Sequence, residues 1–202
     1  MTLWVGDQPL ILASQSKSRQ ALLKAAGIPF EAIAADIDER GIQAGSGLQD
    51  PGAIAALLAK SKALHVASRK PGRFVVGADQ TLALQDKLFS KPAGRDQAAR
   101  QLHALAGGTH ELHSAIAVVK DGKVLFDHVS VARMTMRSMS DAMIDKYLDA
   151  AGAAVTTSVG AYQLEGLGVH LFERIEGDHF TILGLPLLPL LACLRSAGLV
   201  AE

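Results

Sequence analysis

The chain has 202 residues, a length suited to a single globular domain over residues 1–202 with a substantial buried core. Apolar residues make up 49% of it and charged residues 20%, which is typical of globular proteins. Its 20 basic and 20 acidic side chains balance, and this net charge of zero argues against general binding to nucleic acid or to a membrane surface.

The cysteine content and the apolar segments indicate the compartment. Cys193 is the single cysteine, so it has no partner for an internal disulfide and fits a reducing environment. The first residues, MTLWVGDQP, lack the positive charge and the apolar core of a signal peptide. The most apolar late segment, 182–194, is too short to span a bilayer. We therefore expect a cytoplasmic protein.

Apolar runs and turn residues predict alternating strands and helices in the first half of the chain. Asp50 and Pro51 form a typical helix start, with a cap followed by proline at the first helical position. Asp79 directly follows the apolar run FVVGA, so we expect it at the C-terminal end of a strand. In chain order the predicted elements are a strand at 10–13, a helix from Ser16 to a stop at Gly27, a strand at 30–34, an acidic turn at 36–39, a loop at 40–50, a helix from 50 to about 68, a strand at 74–78 and a hairpin at 82–88.

The second half continues the alternation but contains a longer hairpin. Two alternating runs are joined through Asp121 and Gly122, a strong hairpin signal. The predicted elements are a helix at 96–106, strands at 110–119 and 124–136, a helix from Ser140 to about 150, a strand at 168–175 and a helix near 186–196. Because strands and helices interleave while the middle hairpin is antiparallel, we predict an α/β fold with a mixed sheet.

Hydroxyl and ionisable groups follow predicted strands at several places. Ser14, Ser16 and Arg19 lie where the first strand turns into a helix, and hydroxyls, free N–H groups and a guanidinium can hold a phosphate there. The further candidates are Asp38 and Glu39, Asp79, Lys91, and Lys62 on a helix. Ligands of open α/β sheets bind outside the carboxyl ends of the strands, so these groups are expected to converge.

The chemistry that these groups indicate is metal-assisted attack on a phosphoryl group. Basic side chains would neutralise phosphate oxygens, carboxylates would hold a divalent cation, and one carboxylate would take a proton from water. Each signal has a plainer alternative. The Ser16–Arg19 turn is most often a simple helix cap, Asp38 and Glu39 a solvated turn, and Asp79 a structural cap. Asp79 is the strongest single candidate because it lies beside a buried strand.

Histidine spacing raises the alternative of a zinc site. His110 and His113 are three residues apart, and His103 is near them. In an alternating strand this spacing places His110 and His113 on opposite faces, and no cysteine pair or HExxH motif accompanies them. Structural or surface histidines are therefore expected.

Five sequence blocks together resemble the Maf family, septum-formation-inhibitor-like proteins that act as nucleoside triphosphate pyrophosphatases. The blocks are LILASQSKSRQALL, FEAIAADIDE, VVGADQ, the Lys91-Pro92 pair and GLGVHLFERIEGDHFTILGLPL. They follow the family's order and spacing over nearly all of the chain. The resemblance implies an elongated Maf/ITPase-like α/β fold, in which helices flank a central mixed β-sheet with a substrate cleft. It also implies a homodimer as the common assembly.

The resemblance further implies a reaction and the residues that perform it. A nucleoside triphosphate would be hydrolysed to the monophosphate and diphosphate with a divalent cation, Mg or Mn. The family's proton acceptor falls on Asp79, and its phosphate-binding serine and arginine fall on Ser14 and Arg19. The remaining family positions fall on Glu39, Lys62 and Lys91. Glu39 and Asp79 are the expected metal ligands, and Ser16 is expected to complete the phosphate-binding turn.

Three positions that distinguish the family's branches correspond to Ser18, Gln80 and Glu165. The branch that resembles UTP and dTTP pyrophosphatases carries Arg, Thr and Gln there, and the 7-methyl-GTP branch carries Trp, Gln and Glu. An ionised Glu165 only accepts hydrogen bonds, which suits the adjacent donors of guanine. Ser18 cannot stack on a methylated base as tryptophan would. Ser114 and Thr181 also depart from the usual blocks.

We therefore expect a guanine-type or modified base such as that of 7-methyl-GTP, with a UTP/dTTP-type substrate as the alternative. Two other functions are weighed beside this one. The first is a non-catalytic nucleotide-binding regulator of cell division and septum formation. The second is a phosphatase that releases single phosphates. The identity of the product distinguishes the phosphatase, because the family reaction yields diphosphate.

Overall fold

The computed structural model describes residues 3–201, which contain seven strands and seven α-helices. The strands are β1 (Leu10–Ala13), β2 (Phe30–Ala32), β3 (Val75–Leu84), β4 (Lys87–Phe89), β5 (Thr109–Lys120), β6 (Lys123–Met136) and β7 (Phe172–Glu176). The helices are α1 (Lys17–Ala25), α2 (Glu39–Ser46), α3 (Pro51–Ala67), α4 (Arg95–Leu105), α5 (Asp141–Ala151), α6 (His179–Ile182) and α7 (Leu187–Ser196). Short 3-10 helices cover Gly152–Thr156, Val159–Ala161 and Leu167–Leu171.

The strands form one mixed sheet in the order β2-β1-β3-β5-β6-β7, with β4 paired to β3. β1 is parallel to both β2 and β3, whereas β3 and β4, and likewise β6 and β7, are antiparallel. The predicted α/β class with a mixed sheet is therefore confirmed. Within the described residues no helix is both long and apolar enough to cross a membrane.

The chain separates into two compact units. The first unit contains the chain up to Gln80, Ser114–Ser130 and the chain from His179 onward, and the second contains Thr81–His113 and Val131–Asp178. The expectation of a single domain over residues 1–202 stays a prediction.

The core of the first unit lies on both faces of β1. Leu10 and Leu12 pack in one apolar cluster with residues of α1 and α7, and Ile11 and Ala13 pack in another with alanines of α3. Successive side chains of a strand point to opposite faces, so burial of all four indicates a parallel strand that is covered on both sides.

Helix α3 approaches β3 unusually closely at Gly77. A Cβ atom built on Gly77 would lie 2.1 Å from the Ala59 carbonyl oxygen and 2.8 Å from the Ala63 backbone nitrogen. Glycine in the strand and alanines on the helix therefore let the two backbones come together. This contact places the part of α3 that carries Lys62 next to β3.

The prediction of a loop at 40–50 is wrong, because the first half of that segment belongs to α2. The Asp38 side chain caps the helix by accepting a hydrogen bond from the Gly41 amide at 2.9 Å. Gly47 ends it in the left-handed conformation with a φ of 67°. The low helix propensity of Gly41 and Gly45 suggested a loop, but caps at both ends stabilise this short helix.

The strand expected at 74–78 is also wrong in its extent, because β3 continues to Leu84. A charged residue is unfavourable inside a strand, which is why the sequence indicated an end at Asp79. Asp79 instead lies within β3, where Lys62 pairs with its carboxylate. The strand expected at 168–175 begins only at Phe172, and α6 was not predicted.

The structure gives the two strand histidines separate protein partners. In the second unit His110 is fully buried, and its Nε2 lies 2.7 Å from the Tyr162 hydroxyl. His113 Nε2 lies 3.0 Å from Glu111 Oε2. Among the described residues, no group of three or more His, Cys, Asp or Glu side chains is arranged to hold a metal ion.

Candidate active site

The ends of the parallel strands bring polar residues together in the first unit. β1 ends at Ala13, which is opposite Gly77 of β3, and Ser14 follows directly. Because β3 continues while β1 stops, Asp79 lies two residues beyond the last register pair. Glu39 begins α2, after the neighbouring parallel strand β2.

The turn after β1 brings together the hydroxyls, the helix start and the guanidinium that the sequence predicts there. Ser16 is the N-cap of α1, and its hydroxyl accepts from the Arg19 amide at 3.4 Å. The first turn of α1 contains no acidic residue, so no carboxylate neutralises the positive end of the helix dipole. Ser14 Oγ accepts from the Ser16 amide at 3.3 Å and from Arg19 Nη1 at 3.1 Å. With both lone pairs engaged, Ser14 retains its O–H proton for an acceptor such as a phosphate oxygen.

Backbone carbonyls hold Arg19 in place. Its Nε donates to the Gly184 carbonyl at 2.7 Å, and its Nη1 donates to the Ala78 carbonyl at 2.8 Å. Burial lowers the pKa of the Arg19 guanidinium, although the negative charges of Asp79 and Glu39 act in the opposite direction. The guanidinium stays charged in proteins, so this geometry provides a fixed cation beside Ser14.

Lys62 joins two carboxylates. Its Nζ lies 2.6 Å from Asp79 Oδ1 and 2.9 Å from Glu39 Oε1. The side chains of Lys62 and Asp79 are only 11% and 10% exposed, whereas that of Glu39 is 50% exposed. The pair in the interior is therefore fixed, and Glu39 extends toward solvent.

The electrostatics of Asp79 suit a proton acceptor. Burial raises the pKa of its carboxyl group above the ordinary value, and the charges of Lys62 and Arg19 oppose this shift without cancelling it. A carboxylate with a raised pKa binds a proton more strongly than a solvated one. Proton transfer is most effective when the pKa of the base approaches the working pH.

The donor set is compatible with the expected Mg or Mn ion. Glu39 and Asp79 both place an oxygen within 3 Å of one cationic nitrogen, so their oxygens already converge on a positive charge. Mg²⁺ is commonly held by one or two carboxylates, with waters and substrate phosphates completing its ligands. Two carboxylates are thus enough for a cation that is bound together with a triphosphate.

Gln80, the residue after Asp79, belongs to a separate hydrogen-bond group. Its Nε2 donates to Ser114 Oγ at 2.8 Å and to the carbonyls of Thr181 and Ile182, each at 3.1 Å. Ser114 Oγ in turn donates to the Thr181 carbonyl at 2.7 Å. These contacts span 34 to 102 positions of the chain, so local sequence patterns could not reveal them. The one available signal was that Ser114 and Thr181 depart from the family blocks.

Eight of the predicted site residues belong to the first unit, and seven of them make the contacts described above: Ser14, Ser16, Arg19, Glu39, Lys62, Asp79 and Gln80. Ser18 lies half-buried in the first turn of α1. Lys91 and Glu165 are exposed residues of the second unit, and their participation stays a prediction.

The loop that carries Lys91 is held by α4 within the second unit. Gln101 Nε2 donates to the Ser90 carbonyl at 2.7 Å, and Gln97 Oε1 accepts from the Ala93 amide at 2.8 Å. The two glutamines are one helical turn apart, so they fix the loop on either side of Lys91. Sequence patterns gave no indication of this support.

The mixed sheet and the charged cluster define the class of protein: an α/β protein whose side chains suit a phosphorylated ligand. The profile of the Maf-like protein family matches residues 9–197. The chain therefore belongs to the Maf-like protein family, as its sequence blocks indicated.

Curated relatives align over the full chain or nearly all of it. A protein of Bradyrhizobium diazoefficiens named nucleoside triphosphate pyrophosphatase is 68% identical over 100% of both chains. One from Rhodopseudomonas palustris with the same name is 65% identical, also over 100% of both. A Mesorhizobium japonicum protein named 7-methyl-GTP pyrophosphatase is 52% identical over 96% of this chain and 98% of its own.

Proposed function

We propose that the protein hydrolyses a nucleoside triphosphate with a guanine-type or modified base, such as 7-methyl-GTP, and that a divalent cation assists. At the coarser level, its family and its relatives establish a nucleoside triphosphate pyrophosphatase, a hydrolase acting on phosphoric anhydrides. The observation that carries the mechanism is the buried Asp79 carboxylate with a raised pKa, beside the Lys62 ammonium at 2.6 Å.

In this proposal Asp79 is the proton acceptor. Water attacks phosphorus, one P–O bond forms, and the bridging P–O bond between the α and β phosphates breaks. The proton of the water passes to the Asp79 carboxylate, and the diphosphate leaves with the electron pair of the broken bond. Lys62 holds Asp79 in place and keeps a compensating charge beside it.

The phosphates are bound by donors from the turn after β1. Ser14 offers its O–H, and Arg19 offers the guanidinium hydrogens that its backbone partners leave free. Ser16 contributes by fixing the first turn of α1, whose N-terminus favours anions. Lys91 is proposed as a further phosphate-binding cation from its supported loop.

A divalent cation, when bound, neutralises phosphate charge and polarises a phosphoryl oxygen. Glu39 and Asp79 are the residues that would hold it. The exposed position of Glu39 suits a ligand whose other partners come from water and substrate.

The proposed base preference rests on Gln80 and Glu165, which match the 7-methyl-GTP branch, and on the relative of that name. Ser18 removes the stacking partner of that branch. The sequence of α1, KSRQALLKA, contains no aromatic residue that could take the place of that stacking partner. The preference for a methylated over an unmethylated guanine is therefore expected to be weak.

The decisive test compares Asp79→Asn with the matched variant Asp86→Asn, which changes an exposed aspartate in the turn between β3 and β4. Purified proteins are incubated with a panel of canonical and modified triphosphates and Mg²⁺ or Mn²⁺, and diphosphate, phosphate and monophosphate are quantified. We expect Asp79→Asn to lose about 10²–10⁴-fold in kcat, the contribution typical of a general base, while Asp86→Asn retains activity.

The products also separate the alternatives. Release of single phosphates would identify a phosphatase instead. Wild-type-like turnover of Asp79→Asn would remove Asp79 from the mechanism. A division phenotype that persists in Asp79→Asn cells without hydrolysis would support the regulator.

A further inference from the structure

We infer that Ser114 and two backbone carbonyls fix the amide of Gln80 as a hydrogen-bond acceptor, so that the substrate base must present an N–H donor to it. The inference rests on the proposed function, because it takes Gln80 to face the base. It adds Ser114 as a positioning residue that sets which kind of base edge Gln80 can recognise.

A glutamine side chain can ordinarily both donate and accept hydrogen bonds. Its amide has a donor end, Nε2, and an acceptor end, Oε1, and rotation by 180° exchanges the two. A freely rotating Gln80 would therefore match either a carbonyl or an N–H group of a base. Selectivity requires that one orientation be fixed by the protein.

Three oxygen atoms face the amide, and none of them has a proton to give. The carbonyls of Thr181 and Ile182 only accept hydrogen bonds. The Ser114 hydroxyl has one proton, which it donates to the Thr181 carbonyl at 2.7 Å. Toward Gln80 the Ser114 oxygen is therefore an acceptor as well, at 2.8 Å. The amide end that faces this group must be Nε2.

Rotating the amide would be strongly unfavourable. Oε1 would then face three acceptors, and Ser114, which is fully buried, could not turn to water for a replacement partner. Buried polar groups without partners are rare in proteins for this reason. The acceptor Oε1 is consequently presented on the side away from Ser114.

A fixed acceptor selects bases by their donors. The Watson–Crick edge of guanine carries N–H groups at N1 and at the 2-amino group, and unsubstituted purine carries none. Glu165, the other proposed base-reading residue, is also acceptor-only when ionised. Both residues thus favour the same donor-rich class of base.

The first experiment measures kcat/KM for two substrates by diphosphate release. One is guanosine or 7-methylguanosine 5′-triphosphate, whichever is hydrolysed faster, and the other is the donor-free purine riboside 5′-triphosphate. We expect the wild type to prefer the first by at least about tenfold. Gln80→Met, which keeps the length of the side chain without the amide, should reduce that preference about tenfold. An unchanged preference in Gln80→Met overturns the inference.

The second experiment tests Ser114 with Ser114→Ala. Its matched control is Ser196→Ala, which removes a hydroxyl that donates within α7 to the Ala192 carbonyl. In protein labelled with ¹⁵N-glutamine, the side-chain amide signal of Gln80, assigned by its loss in Gln80→Met, should move in Ser114→Ala and stay in place in Ser196→Ala. The preference for the donor-bearing substrate should fall severalfold in Ser114→Ala, through KM rather than kcat.

The outcomes separate this inference from the proposed function. If no triphosphate yields diphosphate, the proposed function fails. If both substrates yield diphosphate equally well while Asp79→Asn is inactive, the function holds and the inference is overturned. If the Gln80 amide signal does not shift in Ser114→Ala, Ser114 does not position Gln80. If Ser114→Ala does not fold, the substrate preference of Gln80→Met tests the inference by itself.

Discussion

Ser14 and Gln80 can each donate and accept hydrogen bonds, and their surroundings fix them in opposite roles. Two donors, Arg19 Nη1 and the Ser16 amide, engage the Ser14 oxygen and leave it a proton to donate. Three acceptors engage the Gln80 nitrogen and leave it an oxygen to accept. One group therefore suits an anion and the other an N–H edge, and neighbouring protein groups set the polarity of each contact.

The largest effect is expected from changing Arg19, which holds the Ser14 oxygen in the proposed phosphate-binding group. Arg19→Ala removes a cation and the donor to Ser14, and Arg19→Lys keeps the charge without the planar fork that contacts Gly184, Ala78 and Ser14. We expect Arg19→Ala to lose about 10²-fold or more in kcat/KM, as for other charged hydrogen bonds, and Arg19→Lys to recover only part of it. Diphosphate release measures both, and full activity of Arg19→Lys would show that charge alone suffices.

Ser14→Ala removes the proposed hydrogen-bond donor to the phosphates. We expect kcat/KM to fall about tenfold, since a hydrogen bond to a charged oxygen is lost. Ser46→Ala, which changes a hydroxyl at the end of α2, is the control and should keep its activity. Ser16→Ala should instead lower stability by about 1 kcal/mol through the lost helix cap, measured by chemical denaturation. A larger activity loss in Ser46→Ala than in Ser14→Ala would contradict the assignment.

Gly184→Ala tests the Ser14 group and the Gln80 group together, because Gly184 lies next to both Arg19 and Gln80. Its φ of 86° is unfavourable for alanine, and the added Cβ would lie 3.3 Å from Arg19 Nε and 3.7 Å from Gln80 Cδ. We expect a severalfold loss in kcat/KM together with a weaker base preference, and a lower melting temperature. Gly198→Ala also has a positive φ but no neighbour within 4 Å, so it should lower only the melting temperature. If Gly184→Ala lowers only the melting temperature, the backbone at Gly184 does not affect substrate binding.

The smallest expected effect is a shift in the position of the acid limb of the pH profile. Burial raises the pKa of Asp79 above its ordinary value of 3.8, so its carboxylate takes up a proton at a higher pH than an exposed aspartate does. The proposed proton acceptor is protonated as the pH falls through this raised pKa, so kcat/KM should decline on that acid limb. A steady-state profile of the wild type at constant ionic strength measures it, and a limb at or below pH 3.8 would contradict the expected shift.

Local sequence patterns predicted the parts of this molecule that depend on local physics. The strand Leu10–Ala13, the Ser140 cap and the Asp121-Gly122 hairpin turn are confirmed, because capping and turn geometry involve near neighbours. The candidates of the first unit lie together near the carboxyl ends of the parallel strands, whereas the participation of Lys91 stays a prediction.

Two of the failures have tertiary causes, unlike the missed α2, whose caps are local. Asp79 was expected at a strand end, but Lys62 stabilises its charge inside β3, and that contact depends on the close approach of α3 at Gly77. The Ser114–Gln80 contact joins residues that are 34 positions apart. No local pattern encodes either contact.

The position of Asp79 inside β3, rather than on a loop, has a consequence for thermal behaviour. β3 lies between β1 and β5 in the strand order, and interior strands of a sheet usually open only when the whole protein unfolds. Amide hydrogens around Asp79 should therefore exchange with deuterium among the slowest in the chain. On heating, inactivation should coincide with the loss of secondary structure instead of preceding it.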